Sequence, residues 1–134
     1  MTDRALVKGR VRGPVLFLDE PLSFWGGLDP ASGRVIDRHH PQLGLCLTGA
    51  IVVMEAGRGS SSGSHALAEA IRRGTGPAAI VLGEPDEIIV TGCLVAAELY
   101  GTTVPVLVAT EGTIRTLESA IEVSIDVDGS ISVE

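Results

Sequence analysis

The hydrophobic positions of this chain change period along its length, and the changes predict its elements. Near the start, Leu6-Val7-Lys8-Gly9-Arg10-Val11 roughly alternates, which predicts an edge strand, and Val15-Leu16-Phe17-Leu18 is the continuous apolar run of a buried one. From Asp19 to about Leu47 no period survives. Glycine and proline are frequent there, and the stretch holds the only tryptophan, Trp25, and two of the three histidines, with Arg34-Val35-Ile36 as a short strand inside it. A connection of this length within one domain is usually functional or covers something.

From residue 50 onward strands and helices alternate. The apolar run Ala50-Ile51-Val52-Val53-Met54 reads as a strand, and it breaks into Gly57-Arg58-Gly59-Ser60-Ser61-Ser62-Gly63-Ser64-His65. A helix follows from Ala66 to Arg73, with Ala66, Leu67, Ala70 and Ile71 in one stripe and Gly74 as its stop. Ala79–Leu82 and Ile88-Ile89-Val90 read as strands either side of a solvated acidic turn, Glu84-Pro85-Asp86-Glu87. Thr91 to Tyr100 reads as a helix ended by Gly101, and Val104–Val108 as another strand. Ile121–Val127 alternates strictly, turns at Asp128-Gly129 and returns as Ser130–Val133, a hairpin signature. The pattern predicts one α/β domain over residues 1–134 with all-β ends, in a β/β/α layering.

Composition narrows the picture. Hydrophobic residues make up 45% and aromatics only 3%, so the core must be built from Val, Ile, Leu and Ala. A net charge of −7 argues against nucleic acid and against anionic membranes, which attract positive surfaces. The start of the chain lacks an apolar signal region and no apolar run approaches membrane length, so a cytoplasmic chain is expected. The two cysteines, Cys46 and Cys93, form neither a close pair nor a metal-ligand spacing and read as buried small hydrophobes.

The serine run carries the chemistry. A strand that breaks into a glycine- and serine-rich turn and then a helix gathers free backbone N–H groups and the positive end of the helix dipole around one small volume, where a carboxylate or phosphate fits. Three consecutive hydroxyls add a candidate proton donor or acceptor. One of Ser61, Ser62 or Ser64 is also expected to cap the helix. No Lys-Ser or Lys-Thr pair follows the last glycine, so this is no nucleotide P-loop. The glycines at 57, 59 and 63 are spaced too widely for the dinucleotide fingerprint.

Taken together, Leu22-Ser23-Phe24-Trp25-Gly26-Gly27-Leu28-Asp29-Pro30, Gly33, Asp37-Arg38-His39-His40-Pro41, Gly57-Arg58-Gly59-Ser60 and Gly63-Ser64 resemble the small subunit of the aconitase X family, over roughly residues 5 to 110. The resemblance implies a swivelling β/β/α domain that closes over a separate large subunit. It implies a dehydratase of a small hydroxy acid, either cis-3-hydroxy-L-proline or 5-phosphomevalonate. It makes Ser60 the base that abstracts the α-proton, with Ser61 the alternative if the register shifts by one. Ser62 stands where the aconitase loop has an arginine, so carboxylate binding falls to Arg58, to the loop around Gly59, Ser61 and Ser62, or to the partner. It places the iron or iron–sulfur cluster on the large subunit and none on this chain.

Other residues have competing readings. Trp25 either plugs the long loop onto the core or faces a partner. His40 could pair with Asp37 but reads better as a structural histidine, and His65, at the positive end of a helix, as neutral and structural. A mobile phosphohistidine carrier would use His40 or His65. A non-catalytic anion-binding regulatory module would use the loop without turnover.

Overall fold

The computed structural model describes residues 2–134; Met1 lies outside them. The strands are β1 (Arg4–Val7), β2 (Val11–Phe17), β3 (Ile51–Met54), β4 (Ala79–Leu82), β5 (Val106–Val108), β6 (Glu122–Ile125) and β7 (Ile131–Val133). The helices are α1 (Phe24–Gly27), α2 (Ser62–Arg73), α3 (Glu87–Tyr100) and α4 (Glu111–Glu118). The strands form one sheet in the order β1-β5-β4-β3-β2-β6-β7. Its centre, β2-β3-β4-β5, is parallel, while β1 and the β6–β7 hairpin pair antiparallel at the two sides.

Every residue of β3, β4 and β5 is buried, which is why these strands read as unbroken apolar runs. Alternate side chains serve two cores. Val52, Met54, Ile80 and Leu82 pack against Leu67, Ala70 and Ile71 of α2 and Ile89, Cys93 and Ala96 of α3. Ile51, Val53, Ala79, Val81 and Leu107 pack on the other face with Ile114 and Leu117 of α4 and Val123 and Ile125 of β6. β2 is the joint of the sheet. Its first half, Val11–Pro14, pairs with β6, and its second half, Val15–Phe17, with β3. The hairpin thereby forms a second β layer under the parallel sheet, and the expected β/β/α arrangement is the one found.

Several local expectations are corrected. The first predicted strand is two, broken at Lys8-Gly9-Arg10, because the chain there presses on the residue before β5; a Cβ on Gly9 would lie 2.8 Å from Pro105 Cγ. Ile88-Ile89-Val90 is the first turn of α3, not a strand. Asp86 Oδ1 accepts hydrogen bonds from the amides of Ile88 and Ile89 at 2.9 and 3.0 Å, and this N-cap outweighs the β-branched preference of the run. The acidic turn therefore ends in a helix cap. Helix α2 begins at Ser62, so Ser62, Gly63, Ser64 and His65 are helical. The stretch after β5, which the pattern leaves without an element, contains α4, N-capped by Thr110, whose Oγ1 accepts from the Thr113 amide. Arg34-Val35-Ile36 contributes isolated bridges, Arg34 to Cys46 and Val35 to Leu28.

Candidate functional site

The parallel strands β2, β3 and β4 run the same way, so the segments that leave their carboxyl ends meet at one end of the sheet. These segments are the Leu18–Gly27 stretch, the serine loop before α2, and the turn that ends at Asp86. Gly59 has φ +105°, and a Cβ there would collide with Ser23 Oγ and lie 2.8 Å from Ser23 Cβ. A Cβ on Gly57 would collide with Asp86 Oδ2. At Gly63 a Cβ would stand 3.2 Å from Ile88 Cγ2 and 3.9 Å from the Trp25 amide nitrogen. The glycine spacing that fits no nucleotide motif thus marks where the loop backbone is pressed against residues 23–25 and 86–88.

The hydroxyls divide into two kinds. Ser64 Oγ donates to the Ile88 carbonyl at 2.6 Å and ties α2 to α3. Ser60, Ser61 and Ser62 are exposed, and their hydroxyls have no hydrogen-bond partner among the described residues. Ser61 occupies the N-cap position but makes no side-chain cap, so none of the three candidate serines caps α2. The first turn is closed by the backbone instead: the amides of Gly63 and Ser64 donate to the carbonyls of Ser60 and Ser61 at 2.9 and 3.2 Å. The amides of Ser60, Ser61 and Ser62 find no backbone acceptor among the described residues. The first turn of α2 has no acidic residue, leaving the positive end of a 12-residue helix beside these hydroxyls. Arg58 is exposed in the same loop and joins none of the ion pairs among the described residues.

Trp25 is 59% exposed, so it does not plug the long loop onto the core. Its carbonyl accepts from Ser23 Oγ at 2.9 Å, and Gly26, at φ +78°, turns the chain away after it. His40 is buried, 4% exposed. The Gln42 amide can only donate, so His40 Nδ1 accepts at 3.0 Å and Nε2–H donates to the Glu20 carbonyl at 2.9 Å. With both ring nitrogens engaged, His40 is structural and unavailable to a phosphoryl group. Asp37 Oδ1 accepts from the His39 amide, so the Asp37–His40 side-chain pair does not form. His65 is exposed on α2.

The cysteines part company. Burial on α3 pushes the Cys93 thiol up to about 12. Cys46 is exposed, contrary to its reading as a buried hydrophobe, because it lies on the surface of the long loop beside Thr48. The Thr48 hydroxyl and amide hold its thiol below the ordinary range. A metal cluster needs several ligands at one point. Among the described residues no group of three or more His, Cys, Asp or Glu side chains could hold a metal ion, so the donors of this chain do not fit an iron–sulfur cluster.

The sequence model of the aconitase X swivel domain matches residues 1–133. The chain belongs to the aconitase X swivel-domain family. It is 50% identical over 103 residues to the cis-3-hydroxy-L-proline dehydratase of Pseudomonas aeruginosa, a match that covers 77% of this chain and 18% of that enzyme. This swivel domain therefore spans less than a fifth of that relative's length. It is 38% identical over 126 residues to the phosphomevalonate dehydratase small subunit of Methanothermobacter thermautotrophicus, covering 93% of this chain and 92% of that subunit. Among solved structures it superposes on Thermococcus kodakaraensis aconitase X (holo-form) with a TM-score of 0.88 at 28% identity, over 99% of this chain and 96% of that one. No helix among the described residues of the swivel domain is long and apolar enough to cross a membrane.

Ser60, Arg58, Gly59 and Ser61, singled out from the sequence, share one exposed loop before α2, and Ser62 is the exposed first residue of that helix. Sequence reasoning missed the packing of Ser23 and Asp86 against that loop's backbone at Gly59 and Gly57. Asp86 left a readable signal, an aspartate after a proline and before an apolar run, the usual start of a helix. Ser23 stands in the run that carries the family resemblance, but its packing on Gly59 left no signal, since that depends on where two distant segments meet.

Proposed function

We propose that this chain is the small subunit of a two-chain hydro-lyase that dehydrates cis-3-hydroxy-L-proline, with Ser60 as the proton acceptor. The observation that carries the reading is the run of exposed hydroxyls without partners, held by glycine contacts at the positive end of α2 in a domain of the aconitase X family. A serine hydroxyl is too weak an acid to be a base at neutral pH unless its alkoxide is stabilised by N–H donors and cations in a dry pocket. The amides of Ser61 and Ser62, the α2 dipole and Arg58 supply part of that stabilisation. The closed interface with a large subunit supplies the dryness.

In this mechanism the Ser60 oxygen takes the proton from C2 of the substrate, and the electron pair forms the C2=C3 bond. The C3 hydroxyl leaves as water by taking up one proton, which balances the proton that Ser60 removes from C2 and must pass on to restore the base. The resulting enamine tautomerises to the cyclic imine Δ1-pyrroline-2-carboxylate. Arg58 and the loop amides of Gly59, Ser61 and Ser62 orient the substrate carboxylate. The iron or iron–sulfur cluster that aconitase X enzymes imply would belong to the large subunit.

Two observations favour hydroxyproline over 5-phosphomevalonate. Identity to the Pseudomonas hydroxyproline enzyme is 50%, against 38% to the Methanothermobacter subunit. A carboxylate together with a phosphate dianion calls for several fixed cations, yet the loops at 19–47 and 57–65 hold only Arg34, Arg38 and Arg58. Of these, Arg34 Nη1 is committed to the Gly44 carbonyl at 2.9 Å. The alternative, the small subunit of a phosphomevalonate dehydratase, is favoured by the 92% coverage of a subunit that is itself a separate chain. Assay of the two-chain complex with both compounds decides. Turnover of cis-3-hydroxy-L-proline is expected, and turnover of 5-phosphomevalonate alone would assign the alternative.

A further inference from the structure

Helix α3 is apolar on both sides. Its buried stripe, Ile89, Gly92, Cys93 and Ala96, faces α2 and the sheet. Leu94, Val95, Leu99 and Tyr100 stand in solvent, with Leu99 66% exposed. A surface helix of a globular domain ordinarily carries polar residues on that side. These side chains are also not scattered: Val95, Leu99 and Tyr100 of α3 line one groove of about 390 Å³ with Ser61, His65 and Ala68 of α2 and its approach.

The groove holds little unpaired charge. The one carboxylate along it, Glu69, is engaged by the guanidinium groups of its own helix, Arg72 Nη2 at 2.9 Å and Arg73 Nε at 3.1 Å. An apolar partner surface therefore meets no lone ion that its burial would strand. At one end the groove runs into the serine loop, because Ser61 lines it. Whatever covers the loop to make it dry must cross this end of the groove. Trp25, exposed with its amide beside Gly63, adds an aromatic group at the same loop. Exposed aromatic and aliphatic anchors around a site to be desolvated are the make-up of an interface core.

We infer that the α2–α3 groove is the docking surface for the large subunit, and that Leu99 and Tyr100 are its anchors. The inference rests on the two-chain reading above. A second copy of this chain in the groove would stand over Ser61 and obstruct the loop that a catalytic partner has to reach, so the large subunit is the occupant that the geometry favours.

The test uses the full chain and a purified aconitase X large subunit, with affinity measured by calorimetry and turnover at saturating partner. Leu99→Glu, at an exposed position, is expected to leave the melting temperature unchanged and weaken association at least about tenfold, as truncated interface anchors do. Turnover should return to normal once partner is saturating, because Leu99 takes no part in the chemistry. Ile121→Glu is the control for loss of any exposed apolar side chain. Ile121 is 82% exposed just before β6, on the layer away from α2 and α3, and its replacement should leave affinity unchanged. If the unmodified chain binds and Leu99→Glu and Tyr100→Ala both bind equally well, the groove is not the docking surface. If the unmodified chain does not bind at all, the two-chain reading falls and this inference with it. Self-association of the chain alone that Leu99→Glu abolishes would assign the groove to a second copy instead.

Discussion

Ser60 and Ser64 lie four positions apart, one in the loop and one in the first turn of α2, and their surroundings give them different work. Ser64 is bonded to the Ile88 carbonyl at 2.6 Å and joins two helices. Ser60 is exposed with its hydroxyl unbonded among the described residues, which leaves it free to act on a ligand. Replacing Ser60 by alanine should therefore leave folding alone and remove chemistry. In the assembled complex Ser60→Ala is expected to lower turnover by about a hundredfold or more, the usual cost of losing a general base, with an unchanged melting temperature. Near-normal turnover would remove Ser60 from the mechanism and turn attention to Ser61. The loop itself was legible in the sequence, because glycines and serines between an apolar run and a helical stripe mark a turn that gathers free amides. Their fastening was not. That Gly59 abuts Ser23 and Gly57 abuts Asp86 depends on tertiary contacts that span about thirty residues of chain in each direction.

Among the elements, strands buried on both faces were read correctly at β3 and β4, since a continuous short apolar run bounded by turn residues has few alternatives. The same rule failed at Ile88-Ile89-Val90, where period alone does not separate a buried strand from the start of a buried helix. Asp86 decides the matter by accepting from two amides of the first turn. Asp86→Ala should thus destabilise the domain by about 1 kcal/mol, the ordinary worth of an N-cap, and lower the melting temperature by several degrees. Asp86→Asn, which keeps an accepting oxygen, should recover most of the loss. Equal destabilisation by the two substitutions, seen by calorimetry, would show that the cap is not what Asp86 contributes. The exposure of Cys46 was illegible for another reason: its neighbours Leu45 and Leu47 are apolar, but only Leu47 turns inward.

For the whole molecule, the sheet order and the joint at β2 gather three strand ends, the serine loop and the start of the long β2–β3 connection at one end of the domain. The α/β class and the hairpin were readable from period. The β/β/α layering was expected too, but the double pairing of β2, with β3 and with β6, spans more than a hundred residues of chain and had to be seen. This end of the molecule is open: the hydroxyls, Arg58, Trp25 and the outer side of α3 all face solvent. On the proposed reading, a Ser60 alkoxide cannot work in bulk water, so this domain is expected to act only when a partner closes over it. The measurement that tests this most directly is dehydration of cis-3-hydroxy-L-proline by the purified chain, by a purified large subunit, and by their mixture at equal protein concentration. Turnover is expected from the mixture alone, saturating as the chain is titrated into the large subunit; turnover by either polypeptide alone at the rate of the mixture would contradict a base that works only in the closed complex.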